Sequence, residues 1–203
     1  MAWVVKLCGK SPGDQAALRS GLGKPVEEVP ARMHATLLRR AFVPEADGTP
    51  SRQHEIRAYY AVAALVAARP RALRDEPEAD PQDVTEAEAG APVAGTAKPA
   101  VSGFHASGTS LGESLALTVD RRKAGDTRVS TAEARLHLVV RQDLDGVHRM
   151  LPGLCRQLGS AGVAPDYACL LGDLIGWHHR QSEVTTRWLQ AFYRTQRRRE
   201  AAA

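Results

Sequence analysis

The sequence predicts an all-α fold of two small helical bundles joined by an acidic flexible linker. The chain of 203 residues has 33 Ala and 20 Leu but only 2 Ile, and 5% of its residues are aromatic. Alanine and leucine favour helices, whereas strands are rich in β-branched and aromatic side chains. No segment alternates apolar and polar residues as a half-buried strand does. These observations predict a protein built from helices alone.

Residues 71–106 are rich in Ala, Pro and Glu and contain few large apolar side chains. Such a segment cannot bury enough apolar surface to offset the entropy cost of ordering it, so we expect a flexible linker. It separates an N-terminal helical part, residues 1–70, from a C-terminal helical bundle, residues 107–200. The whole chain carries a formal charge of +4. Because residues 71–105 contribute −4 with seven acidic and three basic groups, the two helical parts together carry +8.

Three helices are expected in the N-terminal part. Ser11 followed by Pro12 is typical of a helix N-cap and first turn, and this helix should end near Leu22. A second helix is expected from residue 27 or 31 to residue 42. Apolar residues at helical spacing predict a third helix over residues 52–68.

Five helices are expected after the linker, and two begin with a capping-box pattern. Ser110 with Glu113 predicts a helix that reaches about Lys123, and Ser130 with Glu133 predicts another. The remaining helices are expected at residues 145–159, 165–177 and 183–198. Short connections between them predict an antiparallel bundle.

Motifs for catalysis and metal binding are incomplete. Residues 103–110 have the glycine spacing of a phosphate-binding loop, but Thr109 occupies the position of the required lysine and no strand precedes it. His178 and His179 are adjacent, so on a helix their side chains point about 100° apart and do not converge on one ion. No nucleophile-elbow pattern is found. We therefore expect no enzyme activity, no metal and no cofactor.

The chain is expected to be a cytoplasmic protein that does not enter the membrane. No apolar run approaches the roughly 20 residues that span a bilayer. The N-terminal residues do not form a secretory signal pattern. The three cysteines are too few and too scattered for a disulfide framework, which indicates reduced thiols.

Basic side chains are the remaining candidates for function. Of the 27 basic residues, 22 are arginines, and the planar arginine side chain can donate two hydrogen bonds to one phosphate. A single arginine on a helix is more often solvated or paired with a carboxylate one turn away. We interpret Arg197–Arg199 in this way, as a frayed and solvated helix end.

Short motifs occur in order along both helical parts. The first, Gly108–Ala116, reads GTSLGESLA and resembles the SLG…AL motif of the CasB family. The other similar segments are Ala16–Arg19, Ser51–His54, Glu133–Leu136, Val140–Asp143, Pro165–Tyr167, Leu174–Trp177 and Trp188–Tyr193. Their order and spacing carry the resemblance, which covers roughly residues 11–68 and 108–195. CasB is the small subunit of the type I-E CRISPR surveillance complex, Cascade.

The resemblance implies a non-catalytic subunit present as two copies in a crRNA-bound assembly. Its implied partners are crRNA, the displaced single-stranded DNA, and the backbone and large subunits of Cascade. Members of the family bind nucleic acid without sequence preference and help hold the displaced non-target strand of the R-loop.

Basic positions of the family carry over to this sequence and define the candidate site. His179 occupies a position that can be lysine, and the basic pair Arg121 and Arg122 completes the set. Glu113, by contrast, stands where the family can have a basic residue. The positions carried over as arginine are Arg19, Arg52, Arg135, Arg141 and Arg180.

Two alternatives to this function stay open. A helical DNA-binding regulator would need a helix-turn-helix, and the sequence has no convincing turn of the required length. A scaffold subunit would use its arginines to contact protein only. The linker also has two interpretations: an inert insertion is favoured, and shielding of the basic surface in the free protein is the alternative.

Overall fold

The computed structural model describes residues 11–40, 43–69, 108–119 and 127–202, in which every regular element is a helix. This confirms the predicted all-α fold. The predicted linker, residues 71–106, lies outside these ranges. The α-helices are α1 (Pro12–Arg19), α2 (Ala31–Arg40), α3 (Pro50–Ala67), α4 (Leu111–Leu117), α5 (Thr127–Val140), α6 (Leu144–Ser160) and α7 (Tyr167–Ala201). None of these described helices has the length and apolar character of a membrane span.

Side-chain caps fix the start of several helices. The Ser11 hydroxyl accepts the Asp14 N–H at 3.3 Å, and the Ser110 hydroxyl accepts the Glu113 N–H at 3.2 Å. Both caps were predicted, because a serine oxygen satisfies a backbone donor that has no partner within the helix. Asp166 caps α7 in the same way and accepts two backbone N–H groups at 2.9 Å.

Two predicted helix boundaries in the C-terminal part are wrong. The helix that follows Ser110 ends at Leu117 and not near Lys123, with the Thr118 hydroxyl donating to the Leu115 carbonyl at 2.7 Å. The second capping box does not start a helix, because α5 begins at Thr127 and runs through Ser130. No glycine or proline separates Thr127 from Ser130, so helical backbone can extend upstream of the serine.

One hydrophobic core contains residues from both helical parts. Leu18 of α1 and Leu65 of α3 belong to the same buried cluster as Leu151 of α6 and Trp177 of α7. The ion pair between Arg57 of α3 and Asp145 of α6 also joins the two parts. Helix α3 therefore packs directly on the C-terminal helices.

Helix α7 bends at Arg180, where the backbone leaves helical geometry with φ −133° and ψ 30°. The two helices predicted at residues 165–177 and 183–198 thus meet in this bend. A buried carboxylate holds the two segments together: Asp173 accepts the Trp188 Nε1–H at 2.6 Å and pairs with Arg187. Because Asp173 is 2% exposed, the pairing offsets a charge that would otherwise be costly to bury.

Candidate nucleic-acid interface

The predicted site residues lie on four parts of the fold. Arg19 ends α1, Arg52 lies in the first turn of α3, and Arg135 lies on α5. Arg141 follows α5, and His179 and Arg180 lie at the bend in α7. All of them are exposed except Arg52, which is half-buried. Arg121 and Arg122 lie outside the described residues.

Two concave surfaces bring some of these arginines together with others on α6. The first, the α5–α6 groove, encloses about 720 Å³ and is lined by Arg135, Leu138, Arg149, Met150, Gly153, Leu154, Arg156, Gln157 and Ser160. The second, the Tyr167 cavity, encloses about 340 Å³ and is lined by Arg19, Leu22, Leu65, Ala68, Arg69, Pro152, Cys155, Arg156, Gly159, Val163, Ala164, Pro165 and Tyr167. Arg156 lines both surfaces, so they adjoin.

Four exposed arginines therefore form a continuous surface, called here the α6 arginine surface: Arg19, Arg135, Arg149 and Arg156. None of the described residues that line the groove or the cavity is a carboxylate. Arg149 also lines a third cavity that contains Asp145, but Asp145 is paired with Arg57. Together with Arg57, Arg149 helps to lower the pKa of Asp145, but Arg19, Arg135 and Arg156 line concavities in which none of the described lining residues carries a negative charge.

Helix geometry explains why Arg149 and Arg156 share one face of α6. They are seven residues apart, which is two helical turns, so their side chains lie on the same side. Arg135 reaches this face from α5 and donates a hydrogen bond to the Gln157 side chain. Because the amide of glutamine is neutral, this contact positions the guanidinium without cancelling its charge.

The acidic residue nearest to Arg135 in sequence is held elsewhere. Glu133 accepts a hydrogen bond from the Tyr193 hydroxyl at 2.5 Å, on the contact between α5 and α7. This hydrogen bond raises the pKa of Tyr193 to about 12. The Glu133 carboxylate therefore stabilises helix packing instead of pairing with Arg135.

Arg52 lies in a different electrostatic environment. Its guanidinium is 3.7 Å from the Asp47 carboxylate and 2.5 Å from the Glu55 carboxylate. Two negative charges thus surround one positive charge, and Arg52 lines neither the groove nor the cavity. The structure does not bring this predicted site residue to the α6 arginine surface.

Arg141, His179 and Arg180 form a second basic group at the far end of α5. The Gln181 side chain donates to the Gln142 carbonyl at 2.8 Å, which ties the bend of α7 to the end of α5. Arg141 directly precedes Gln142 in the sequence, and His179 and Arg180 directly precede Gln181, so this hydrogen bond brings the three basic residues close together. Arg180 also lines a small cavity that contains Asp173 and Glu183, so carboxylates are close to it.

The end of α7 that contains Arg197–Arg199 is helical to Ala201 and is not frayed as predicted, although Arg197 and Arg198 are solvent-exposed as expected. Arg199 donates to the Ala116 carbonyl at 2.6 Å, and Arg198 lies 3.5 Å from the Glu113 carboxylate. Both contacts join the last turns of α7 to α4. The Gln196 side chain donates to the same Ala116 carbonyl at 3.2 Å, so α7 supplies two donors to the C-terminal turn of α4.

Histidines add little positive charge near the α6 arginine surface. His148 of α6 is buried, and burial lowers its pKa to about 4, with the positive charge of Arg57 acting in the same direction. His54 of α3 also has a lowered pKa because of burial and of neighbouring His178. Both side chains are therefore predominantly neutral near pH 7, and the charge of this region comes from arginine.

Sequence reasoning did not select Arg149 and Arg156 as site residues. Their seven-residue spacing on an amphipathic helix was a usable signal. What the sequence did not show was that the end of α1 faces α6 across the Tyr167 cavity and that α5 borders α6 along the groove. This arrangement places Arg19 and Arg135 in concavities that Arg156 also lines.

Comparison with known proteins places this fold in a family. Residues 14–193 match the family of CRISPR-associated protein Cse2. No curated protein matches the sequence.

Solved structures agree with the family match. A chain of a CRISPR RNA-guided surveillance complex is 33% identical, with a TM-score of 0.68 over 98% of this chain and 92% of that chain. A chain of such a complex in a pre-nicking state is 35% identical, with the same TM-score and coverage. CasB of M. ruber, 22% identical, shares the fold with a TM-score of 0.62 over 100% of this chain and 96% of that chain. The protein therefore belongs to the CRISPR-associated Cse2 (CasB) family.

Proposed function

We propose that this protein is a non-catalytic small subunit of the type I-E CRISPR Cascade complex, which acts in cytoplasmic antiviral defence. In this proposal it binds the nucleic-acid backbone without sequence preference and stabilises the displaced non-target strand of the R-loop. The observation that carries the proposal is the α6 arginine surface, where four exposed arginines line the α5–α6 groove and the Tyr167 cavity, whose described lining residues include no carboxylate. The family match and the similarity to chains of surveillance complexes support the assembly.

The mechanism is electrostatic. Each arginine that meets a phosphate releases counterions from the strand, so affinity should fall steeply as salt rises. Contacts to phosphate hold the strand without reading its bases. Opening of a target duplex by a guide RNA is nearly balanced in free energy, so protein contacts to the displaced strand shift it toward the open state.

The expected partners are crRNA, the displaced strand, and the backbone and large subunits of the complex, with two copies of this chain per assembly. Arg141, Arg180 and His179 are proposed to extend the strand path beyond the α6 arginine surface. Arg52 is proposed to contribute less, because Asp47 and Glu55 already surround it.

The R-loop lifetime tests this function. We expect that replacing Arg135 and Arg141 together by alanine shortens the lifetime of the R-loop and leaves guide loading intact. Arg52→Ala is the matched control, because it removes one arginine that two carboxylates compensate. An R-loop lifetime unchanged in the double variant, with the complex fully assembled, would contradict the proposal.

A scaffold that contacts only protein is the second candidate, and one observation favours it. Leu138 is 54% exposed in the α5–α6 groove, beside the half-buried Met150. An exposed apolar side chain in a groove is a possible protein contact. Incorporation into the complex without any affinity of the isolated protein for single-stranded DNA would favour this candidate.

A further inference from the structure

The Tyr167 cavity has a composition that differs from a plain phosphate-binding surface. Its walls include apolar side chains from α3, α6, α7 and the loop between α6 and α7. Leu65, Pro152 and Val163 are among them. Arg19 and Arg156 are exposed where the cavity meets solvent. The volume of about 340 Å³ lies within the range of small-molecule sites.

Cys155 and Tyr167 contribute neutral surface to the wall. Burial raises the pKa of the Cys155 thiol to about 12, and burial also raises the pKa of the Tyr167 hydroxyl. The Arg69 guanidinium lies over the Tyr167 ring, 5.6 Å from its centroid. The Cys155 thiol and the Tyr167 hydroxyl therefore remain uncharged at neutral pH. No negative charge on the described wall opposes an anionic ligand.

We propose that the Tyr167 cavity binds one nucleotide unit, with the base between the apolar walls and the phosphate on Arg19 and Arg156. A nucleotide combines a flat base, whose two faces are apolar, with an anionic group, which matches a neutral apolar wall and an arginine rim. This inference rests on the proposed function and adds to it. The strand would be held at one point by its base as well as by its phosphates.

The direct test compares two single-stranded DNA ligands of equal length. One is oligothymidylate, and the other carries the same phosphates with abasic sites in place of the bases. Since base stacking on a protein is worth a factor of about five or more per base, the full-length protein should bind the intact strand at least about fivefold more tightly. Equal affinity for both strands would overturn the proposal.

Cavity-filling variants show whether the base effect belongs to this cavity. Ala164 is exposed at the edge of the cavity, and Ala68 is half-buried in its wall. Ala164→Met and, as a second variant, Ala68→Met should remove the preference for the intact strand, because methionine fills space without adding an aromatic surface on which a base could stack. Ala161→Met is the matched control, because Ala161 is exposed three residues earlier and does not line the cavity. Retention of the preference in both filled variants, with the fold intact, would overturn the proposal.

A free nucleotide is the other source of the same chemistry, and competition separates the two. Suppose that thymidine monophosphate binds the wild type but not the filled variants, while the intact and abasic strands bind equally well. This result would assign the cavity to free nucleotides and not to a strand. Failure of the cavity proposal is distinguishable from failure of the proposed function. In the first case only the base effect is absent, and in the second neither strand binds.

Discussion

Two groups of arginines in the described part of the chain have opposite surroundings. Arg57 and Arg187 pair with Asp145 and Asp173, and Arg199 donates to a backbone carbonyl. The α6 arginine surface instead lines the α5–α6 groove and the Tyr167 cavity, and no described residue that lines these two concavities is a carboxylate. The same side chain therefore joins helices in one region and remains available to an external anion in the other. The number of arginines does not predict function, whereas their partners do.

The largest expected effect concerns the paired group. Asp173→Ala leaves the buried Trp188 Nε1–H without its acceptor, which should cost up to about 3 kcal/mol, whereas the Arg187 side chain is 44% exposed and stays solvated. Urea denaturation should show this loss in the free energy of unfolding. Asp173→Asn is the control: it keeps an oxygen that can accept from Trp188, so it should cost less than Asp173→Ala. Equal stability of the alanine variant and the wild type would contradict a structural role of Asp173.

The pH dependence of stability is the next expected effect. The folded pKa of His148 is about 4, below its ordinary value of 6.5, so the unfolded chain binds more protons between these values. Stability from this group is therefore present above pH 6.5 and is lost as the pH falls toward 4, by as much as about 3 kcal/mol. In the His148→Leu variant, the difference between the urea denaturation midpoints at pH 7 and pH 4.5 should be smaller than in the wild type. A variant with the same pH dependence as wild type would rule out this assignment.

The smallest expected effect sharpens the contrast between the two groups. Arg199→Ala removes one hydrogen bond to the Ala116 carbonyl and should lower the free energy of unfolding by about 1 kcal/mol. The affinity of the Arg199→Ala variant for single-stranded DNA should fall by less than about twofold, because salt screens the loss of one charge that lies outside the binding surface. A large loss of DNA affinity would place Arg199 in the binding surface instead.

Local sequence patterns predicted the helices but not all their limits. The caps at Ser11 and Ser110 were readable because capping depends on residues three positions apart. The start of α5 was missed, because a capping pattern at Ser130 permits a helix start without requiring one. The bend at Arg180 is stabilised by Asp173 and Trp188, which are 15 residues apart, so no local pattern reports it.

The candidate site was only partly predictable for a related reason. The family resemblance selected Arg19 and Arg135, each of which lines a concavity that Arg156 also lines. It also selected Arg52, whose two carboxylate neighbours lie three and five residues away and were visible in the sequence. The availability of a charge depends on which side chains meet after folding, and this is not encoded in the count of basic residues.

The salt dependence of DNA binding shows whether the α6 arginine surface contacts phosphates. We predict that Arg149→Ala with Arg156→Ala weakens binding of single-stranded DNA about tenfold or more, since each removes a charge-assisted hydrogen bond. The slope of log affinity against log salt should fall in magnitude by about 1.4, which is two phosphate contacts on a single strand. Arg52→Ala should leave that slope nearly unchanged. An unchanged slope in the double variant, or an equal change in Arg52→Ala, would contradict the account.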